Sequence, residues 1–194
     1  MINFKYLLYF FGIKLKYSKN KKEVLSKIGK LRKQVFVERN YVEAKEVPDI
    51  WLDEYDQEAI NFYASKKNNI IGIVRIIKKE AKLILPIEKY FNLLDIIPKN
   101  YVEISKLAVC AEHRGGKRLL FIGLMQQILK YCKKNNINHL VMFMPDWLFE
   151  SMRKLGVNMY VLEHEALTKK EIDERHTMRK YFNKQTITPY IFKV

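Results

Sequence analysis

The chain has 194 residues, of which 48% are hydrophobic, and a formal net charge of +15. No stretch rich in proline, glycine or serine divides it, so we expect one domain over residues 1–194 with peripheral segments at 1–20 and 168–194. Its two cysteines exclude a disulfide framework, and the lack of a secretion signal or a bilayer-length apolar run predicts a cytoplasmic protein.

The first predicted elements surround a long amphipathic helix. The aromatic run at 4–11 predicts a helix packed on the core, with peripheral contact to a membrane or to acyl chains as the alternative. Apolar residues at helical spacing over 24–36 predict the amphipathic helix itself. Acidic residues at 53–56 then lead into apolar residues near 60–63, which is typical of the approach to a strand.

The rest of the chain alternates between strand and helix patterns. Strands are expected at 70–77, 101–109, 140–144 and 157–162, and helices at 119–132 and 147–155. The apolar stretch 187–192 is expected to add an edge strand. This order predicts an α/β protein with helices on both faces of a sheet.

One strand carries a candidate catalytic pair. The two-residue period of a strand places Glu103 and Ser105 on one face, where both side chains can face one site. A carboxylate in such a position can remove a proton from a substrate as a general base. The alternative is that Glu103 forms an ion pair with Arg75 or Lys106 and only holds adjacent strands together.

A buried arginine requires an anionic partner nearby. Arg75 lies between isoleucines on a predicted strand, where an unpaired charge would be costly. Arg32 and Phe36 share a helical face and are expected to point toward the same cluster. The candidate carboxylates are Asp53, Asp56 and Glu103. Direct substrate contact and a buried ion-pair network both remain open for each residue.

A cationic turn precedes the helix at 119–132. Free backbone N–H groups at the start of a helix bind anions, so the turn is expected to hold a phosphate, with a solvated loop as the alternative. It contains Arg114, Gly115, Gly116, Lys117 and Arg118. No group of histidine, cysteine and acidic residues has metal-ligand spacing, so we expect no metal.

These residues together resemble a known family. The segment Glu103-Ile104-Ser105-Lys106 resembles the Glu-x-Ser-Arg strand of acyl-homoserine lactone synthases (autoinducer synthases) and N-acyl amino acid synthases, two branches of the GNAT superfamily. Further positions stand in the order and rough spacing of those families: Arg32, Phe36, Asp53, Asp56 and Arg75. The resemblance spans about residues 30–162.

The resemblance implies a fold and an activity. The fold would be a three-layer αβα GNAT-like domain with a mixed, mostly antiparallel central sheet. The enzyme would transfer a fatty acyl group from acyl carrier protein, or from acyl-CoA, to the amine of an amino acid or related metabolite. The donor would be a substrate bound through phosphopantetheine, with no permanently bound cofactor.

The resemblance also implies roles for residues. It implies Glu103 and Ser105 as catalytic residues. Substrate binding would involve Arg32, Phe36, Asp53, Asp56, Arg75 and Lys106. Donor binding would involve Leu107, Ala108, Val109, Arg114, Gly115, Gly116, Lys117 and Arg118.

Two departures from the family pattern affect the donor and acceptor sites. Lys106 stands where the family prefers arginine, which keeps the charge but loses the planar fork that binds a partner bidentately. In the turn, Lys117 and Leu119 replace small residues that allow close approach to a pyrophosphate. This favours a carrier-protein pantetheine over coenzyme A.

The net charge is compatible with several partners. Part of it is explained by solvated surface, and an acidic acyl carrier protein also fits it. The alternative function is a non-catalytic GNAT-like binding protein whose basic surface binds nucleic acid or anionic lipid. Because no nucleic-acid motif is present, we expect no nucleic-acid partner.

Overall fold

The computed structural model describes residues 8–9, 11–80, 82–94, 97–98, 100–114, 119–154, 156–165 and 179–194. Its helices are α1 (Lys22–Glu38), α2 (Pro86–Tyr90), α3 (Leu119–Lys134), α4 (Asp146–Arg153) and α5 (Arg179–Lys184). Its strands are β1 (Ile13–Lys19), β2 (Ile60–Lys66), β3 (Asn69–Lys78), β4 (Asn92–Leu93), β5 (Tyr101–Val109), β6 (His139–Pro145), β7 (Met159–Val161), β8 (His164–Glu165) and β9 (Ile187–Lys193).

Seven of these strands form one sheet in the order β1-β2-β3-β5-β6-β9-β7, and β4 pairs with β8 separately. All neighbouring strands are antiparallel except β5 and β6. Helices cover both faces. On one face, Phe62 of β2 contacts Tyr131 of α3. Val74 of β3 pairs with Phe62, so the next residue, Arg75, points to the opposite face, toward α1. The predicted three-layer class with a mixed, mostly antiparallel sheet is confirmed.

Helix α1 positions the loop that carries the acidic residues. Its buried stripe includes Leu25, Ile28, Leu31 and Val35, at the predicted helical spacing. Gly29 lets the loop approach closely, because a Cβ atom there would lie 2.8 Å from Ile50 Cγ2 and 3.0 Å from the backbone nitrogen of Trp51. The loop leading to residues 53–56 is therefore packed directly on α1.

The two ends of the chain differ from the sequence prediction. β1 was not predicted, although Ile13, Leu15 and Tyr17 alternate with polar residues as strand residues do. β9 lies inside the sheet between β6 and β7, so the predicted edge position of this strand is wrong. Residues 1–7 and 10, which hold most of the aromatic run, lie outside the described residues. No helix in the described ranges is long and apolar enough to cross a membrane.

Gly72 allows α3 to pack closely on the sheet. A Cβ atom at this position would lie 2.7 Å from Leu120 Cδ2. We therefore expect Gly72→Ala to lower the free energy of unfolding by about 1–3 kcal/mol, measured by urea denaturation. Leu120→Ala in the same chain removes the clashing atoms and should recover part of that loss. Strictly additive effects of the two substitutions would contradict this account.

Candidate active site

A cavity opens where two parallel strands separate. β5 and β6 pair only over Tyr101–Glu103 and His139–Val141. Beyond these residues β6 continues to pair with β9, and β5 with β3. Ile104 and Met142 onward line a cavity of about 510 Å³, which is within the range of ligand pockets.

The cavity wall has a polar part and an apolar part. The polar part is contributed mainly by the loop after α1, by β3, by α2 and by β5: Asp53, Glu54, Arg75, Lys89, Ser105 and Lys106. The apolar part comes from α3, β6 and α4: Leu120, Phe121, Met142, Phe143, Met144, Trp147 and Leu148. A charged reacting group and a hydrocarbon chain can therefore bind in one cavity.

Asp56 is shared between two buried arginines behind the polar wall. Arg32 Nη1 and Nη2 donate to its two carboxylate oxygens at 2.7 and 2.9 Å, and Arg75 Nη1 lies 3.0 Å from Oδ1. All three side chains are essentially inaccessible to solvent. Burial alone would raise the pKa of Asp56, but the hydrogen bonds and charge of Arg32, with the charge of Arg75, hold it well below its usual range.

Arg75 connects the buried ion pair of Arg32 and Asp56 to the cavity. Its Nε donates to Ser105 Oγ at 3.1 Å, and its Nη1 donates to Asp53 Oδ1. The backbone N–H of Asp53 donates to Asp56 Oδ2 at 2.8 Å, which fixes the two carboxylates relative to each other. Asp53 is partly exposed at the cavity, so the network presents one of its carboxylates to a ligand.

Glu103 is enclosed beside this network. Its side chain has no exposed surface, the Ile87 N–H donates to its Oε2 at 2.9 Å, and its Oε1 has no hydrogen-bond partner among the described residues. Burial raises its pKa to about 8, which the hydrogen bond from Ile87 and the charge of Arg75 only partly oppose. The predicted alternative, an ion pair with Arg75 or Lys106, is not found in the described part of the chain.

The position of Glu103 limits the role predicted for it. Strand alternation does place it on the same face as Ser105, but α2 packs over it and its carboxylate does not line the cavity. Direct contact with a cavity-bound amine is therefore not available from this position. Its assignment as general base stays a prediction that requires a relay.

A bulge in β5 determines the direction of Lys106. Lys106 and Leu107 together stand opposite the single residue Val74 of β3. Lys106 has a φ of 54°, a left-handed conformation that is uncommon for a residue with a Cβ atom. No glycine or asparagine in this strand signals the bulge in the sequence.

The Lys106 ammonium lies at the polar wall between aromatic and acidic groups. Its Nζ is 3.7 Å from Asp53 Oδ2 and lies 4.8 Å from the Trp51 ring centroid and 5.8 Å from that of Phe36. Burial lowers the pKa of Lys106 to about 8, and the charges of Arg32 and Arg75 act in the same direction. The carboxylate of Asp53 opposes this shift.

The predicted phosphate turn is described only at its first residue. Arg114 donates to both carboxylate oxygens of Glu38 at 3.0 Å, and its Nε donates to the Val109 carbonyl at 2.7 Å. Arg114 lines the cavity but is engaged by these partners, so a phosphate would have to displace Glu38. Gly115, Gly116, Lys117 and Arg118 lie outside the described residues.

The structure brings most of the predicted site residues to one cavity. On its wall lie Phe36, Asp53, Arg75, Ser105, Lys106, Leu107, Val109 and Arg114. Behind the wall lie Arg32, Asp56, Glu103 and Ala108. Sequence reasoning did not single out several polar and aromatic wall residues, among them Arg39, Tyr41, Trp51, Glu54, Tyr55, Lys89, Tyr90 and Tyr181.

In the described ranges, no group of three or more histidine, cysteine and acidic side chains is placed to hold a metal ion. The residues of the polar wall offer positioned charges and hydrogen bonds to a ligand.

The sequence over residues 27–146 matches the family model of the N-acyl amino acid synthase FeeM. The chain belongs to the FeeM family. Comparison with curated proteins found no match. The matched residues include the acidic loop, β3, β5 and the whole polar part of the cavity wall.

Solved structures of other acyltransferases share the fold of this FeeM-family chain over nearly its whole length. The CoA-dependent acyl-homoserine lactone synthase BjaI, solved with SAM and isopentyl-CoA, is 18% identical with a TM-score of 0.74, covering 94% of this chain and 84% of its own. The acyl-homoserine lactone synthase LasI is 16% identical with a TM-score of 0.70, covering 93% and 89%. An acyl-CoA N-acyltransferase from Pseudomonas aeruginosa is 12% identical with a TM-score of 0.58, covering 93% and 99%.

Membership in the FeeM family establishes the class of reaction that the protein catalyses. The protein is an amide-forming acyltransferase with a GNAT fold, as the resemblance implied. This class requires an acyl thioester and an amine in one site, and the polar and apolar walls match those two requirements. The predicted alternative of a non-catalytic binding protein is set aside.

Proposed function

We propose that the protein transfers a fatty acyl group from a phosphopantetheine thioester to the amino group of an amino acid or a closely related metabolite. The observation that carries this proposal is the single cavity that joins an enclosed ionic cluster to a wide apolar wall. The ionic cluster faces the reacting amine, and the apolar wall receives the acyl chain.

The polar wall suits an acceptor that carries both an amine and a carboxylate. The partly exposed carboxylate of Asp53 can bind an ammonium group, and its geometry is fixed by Arg75. Arg39 also lines the cavity and can bind a carboxylate, whereas Lys89 is paired with Glu54 at 2.7 Å and would first have to leave that partner. An α-amino acid presents both groups on the same carbon, so it can bind to a wall that carries both an anionic and a cationic residue.

The charge of the chain supports acyl carrier protein as donor. With a net charge of +15, the surface attracts an acidic carrier protein over long range and speeds their encounter. Lys117 and Leu119 replace the small residues that a coenzyme A pyrophosphate needs, which supports the same choice. Acyl-CoA is the alternative donor, and we propose the cytoplasm, where acyl carrier proteins work, as the location.

Product analysis tests this function directly. The protein is incubated with acyl carrier protein thioesters or acyl-CoA, each with a mixture of amino acids and S-adenosylmethionine, and amides are identified by mass spectrometry. We expect N-acyl amino acids, formed faster from the carrier-protein donor. No amide with either donor would overturn the proposal, and faster turnover with acyl-CoA would overturn only the choice of donor.

The apolar wall predicts control of acyl chain length. Met144 is buried and lines the cavity, so Met144→Trp fills space that the distal part of the chain would occupy. Each methylene excluded costs about 0.8 kcal/mol, so kcat/KM for the longest acyl donors should fall at least tenfold relative to short ones. Met125→Trp is the control, because Met125 is buried but lies off the wall. An equal shift in both variants would contradict the assignment.

A further inference from the structure

We propose that Lys106 is the general base that deprotonates the acceptor amine, and this inference rests on the function proposed above. The polar wall needs a group that can accept a proton while touching the acceptor. Glu103 does not line the cavity, whereas the Lys106 side chain does. The bulge at Lys106 places its ammonium 3.7 Å from Asp53 Oδ2, the carboxylate suited to hold the incoming ammonium.

The surroundings of Lys106 favour a neutral amine. It is enclosed by the Trp51 and Phe36 rings and faces Arg32 of α1 and Arg75 of β3, whose positive charges disfavour another cation. Asp53 and Asp56 favour the charged form, but each already pairs with an arginine. Burial dominates, and the pKa of Lys106 falls to about 8, close to the range suited to a general base.

The residue type matters for this role. A guanidinium does not lose its proton in proteins, so the arginine preferred at this position in the resembling families cannot act as a base. Lysine keeps the positive charge after protonation and can also exist as a neutral amine. The departure from the family pattern at this position therefore adds a proton acceptor to the wall.

Lys106 and the departing thiolate accept the two protons that the acceptor nitrogen loses. Neutral Lys106 takes one proton from the acceptor ammonium, and the freed lone pair attacks the thioester carbonyl carbon to form the C–N bond. The tetrahedral intermediate collapses as the C–S bond breaks, and the second nitrogen proton passes to the thiolate. The products are an amide, a thiol and one proton, which Lys106 releases to solvent.

Turnover should therefore depend on pH in a defined direction. Lys106 must be neutral to act, so kcat at saturating acceptor rises with pH through about 8 and then levels. In Lys106→Arg no base remains, so the rise moves upward to the pKa of the acceptor amine itself. A residue that only bound substrate would leave the pH profile in place.

The decisive experiment compares kcat against pH for the wild-type chain, Lys106→Arg, Lys106→Ala and Glu103→Gln. We expect kcat at pH 7.5 to fall at least 100-fold in Lys106→Arg, with a melting temperature near that of the wild type, and to be partly restored in Lys106→Ala by added methylamine or ethylamine. If Lys106→Ala does not fold, the profile of Lys106→Arg alone decides.

Two results would overturn the assignment. One is a Lys106→Arg variant within threefold of wild-type turnover with an unshifted pH profile. The other is a folded Glu103→Gln variant that shows the 100-fold loss while Lys106→Arg does not. A wild-type chain that makes no amide from either donor defeats the proposed function instead, so the two failures are distinguishable.

Discussion

Replacing Asp56 with asparagine should lower the free energy of unfolding by about 3–5 kcal/mol, because it leaves two buried cations without their shared carboxylate. Arg32 and Arg75 have no exposed surface, so water cannot replace the lost partner. For a domain of this size the melting temperature should fall by roughly 6–20 °C. Urea denaturation and thermal melting of Asp56→Asn measure both quantities.

A surface pair provides the matched control for this substitution. Asp49 forms an ion pair with Lys33 at 2.8 Å, but its side chain is 95% exposed. Asp49→Asn makes the same chemical change in water and should alter stability by no more than about 0.5 kcal/mol. Comparable losses in the two variants would show that the buried network does not stabilise the fold.

Asp56→Asn should also change how the free energy of unfolding depends on pH in the acid range. The arginines lower the pKa of Asp56 in the folded protein, so its contribution is present above the unfolded value of about 3.9 and is lost as pH falls through the folded value. The difference between Asp56→Asn and the wild type should therefore be full at pH 6 and shrink progressively below pH 4.

Glu103→Gln should have an effect of opposite sign on stability. Burial raises the pKa of Glu103 to about 8, so its stabilising contribution is full below the unfolded value of about 4.3 and is lost as pH rises through 8. Glutamine resembles the protonated carboxyl and carries no charge at any pH. Relative to the wild type, the free energy of unfolding of the variant should rise by about 1.4 kcal/mol per pH unit across this window. The variant should be the more stable protein at pH 9.

This measurement also tests the role of the buried carboxyl. An ion pair with Arg75 would make Glu103→Gln less stable at neutral and alkaline pH, which is the reverse of the expected result. The turnover of the same variant provides a second test of this role. Because the Glu103 carboxyl contacts the Ile87 N–H and not the cavity, we expect kcat to fall less than tenfold, whereas loss of a general base costs roughly 100-fold or more.

The sequence predicted the local features of the site better than its long-range contacts. The strand Tyr101–Val109 has its predicted bounds, because an apolar run with period two is a local signal. Alternation correctly placed Glu103 and Ser105 on one face. It did not predict that α2 would cover Glu103, because that contact depends on where a distant segment packs.

The same distinction explains the position of β9 and the bulge. The strand pattern at 187–192 was recognised, but whether a strand lies at an edge or inside a sheet depends on partners far away in sequence. The bulge at Lys106 has no local signal either, because a lysine with positive φ is maintained by the surrounding structure. Residue types therefore identified the charged cluster, and packing decided which of its members reach the cavity.

The position of β9 also bears on how the enzyme is made in the cell. β6 forms one wall of the cavity, yet its partner β9 leaves the ribosome roughly 50 residues later, after β7. At typical synthesis rates of about 5–20 residues per second, that edge stays open for several seconds. During this interval the nascent chain lacks the partner of an apolar strand, His139–Pro145, and such an unpaired strand edge favours aggregation. We therefore expect the β6 wall of the cavity to be completed only when β9 pairs with it.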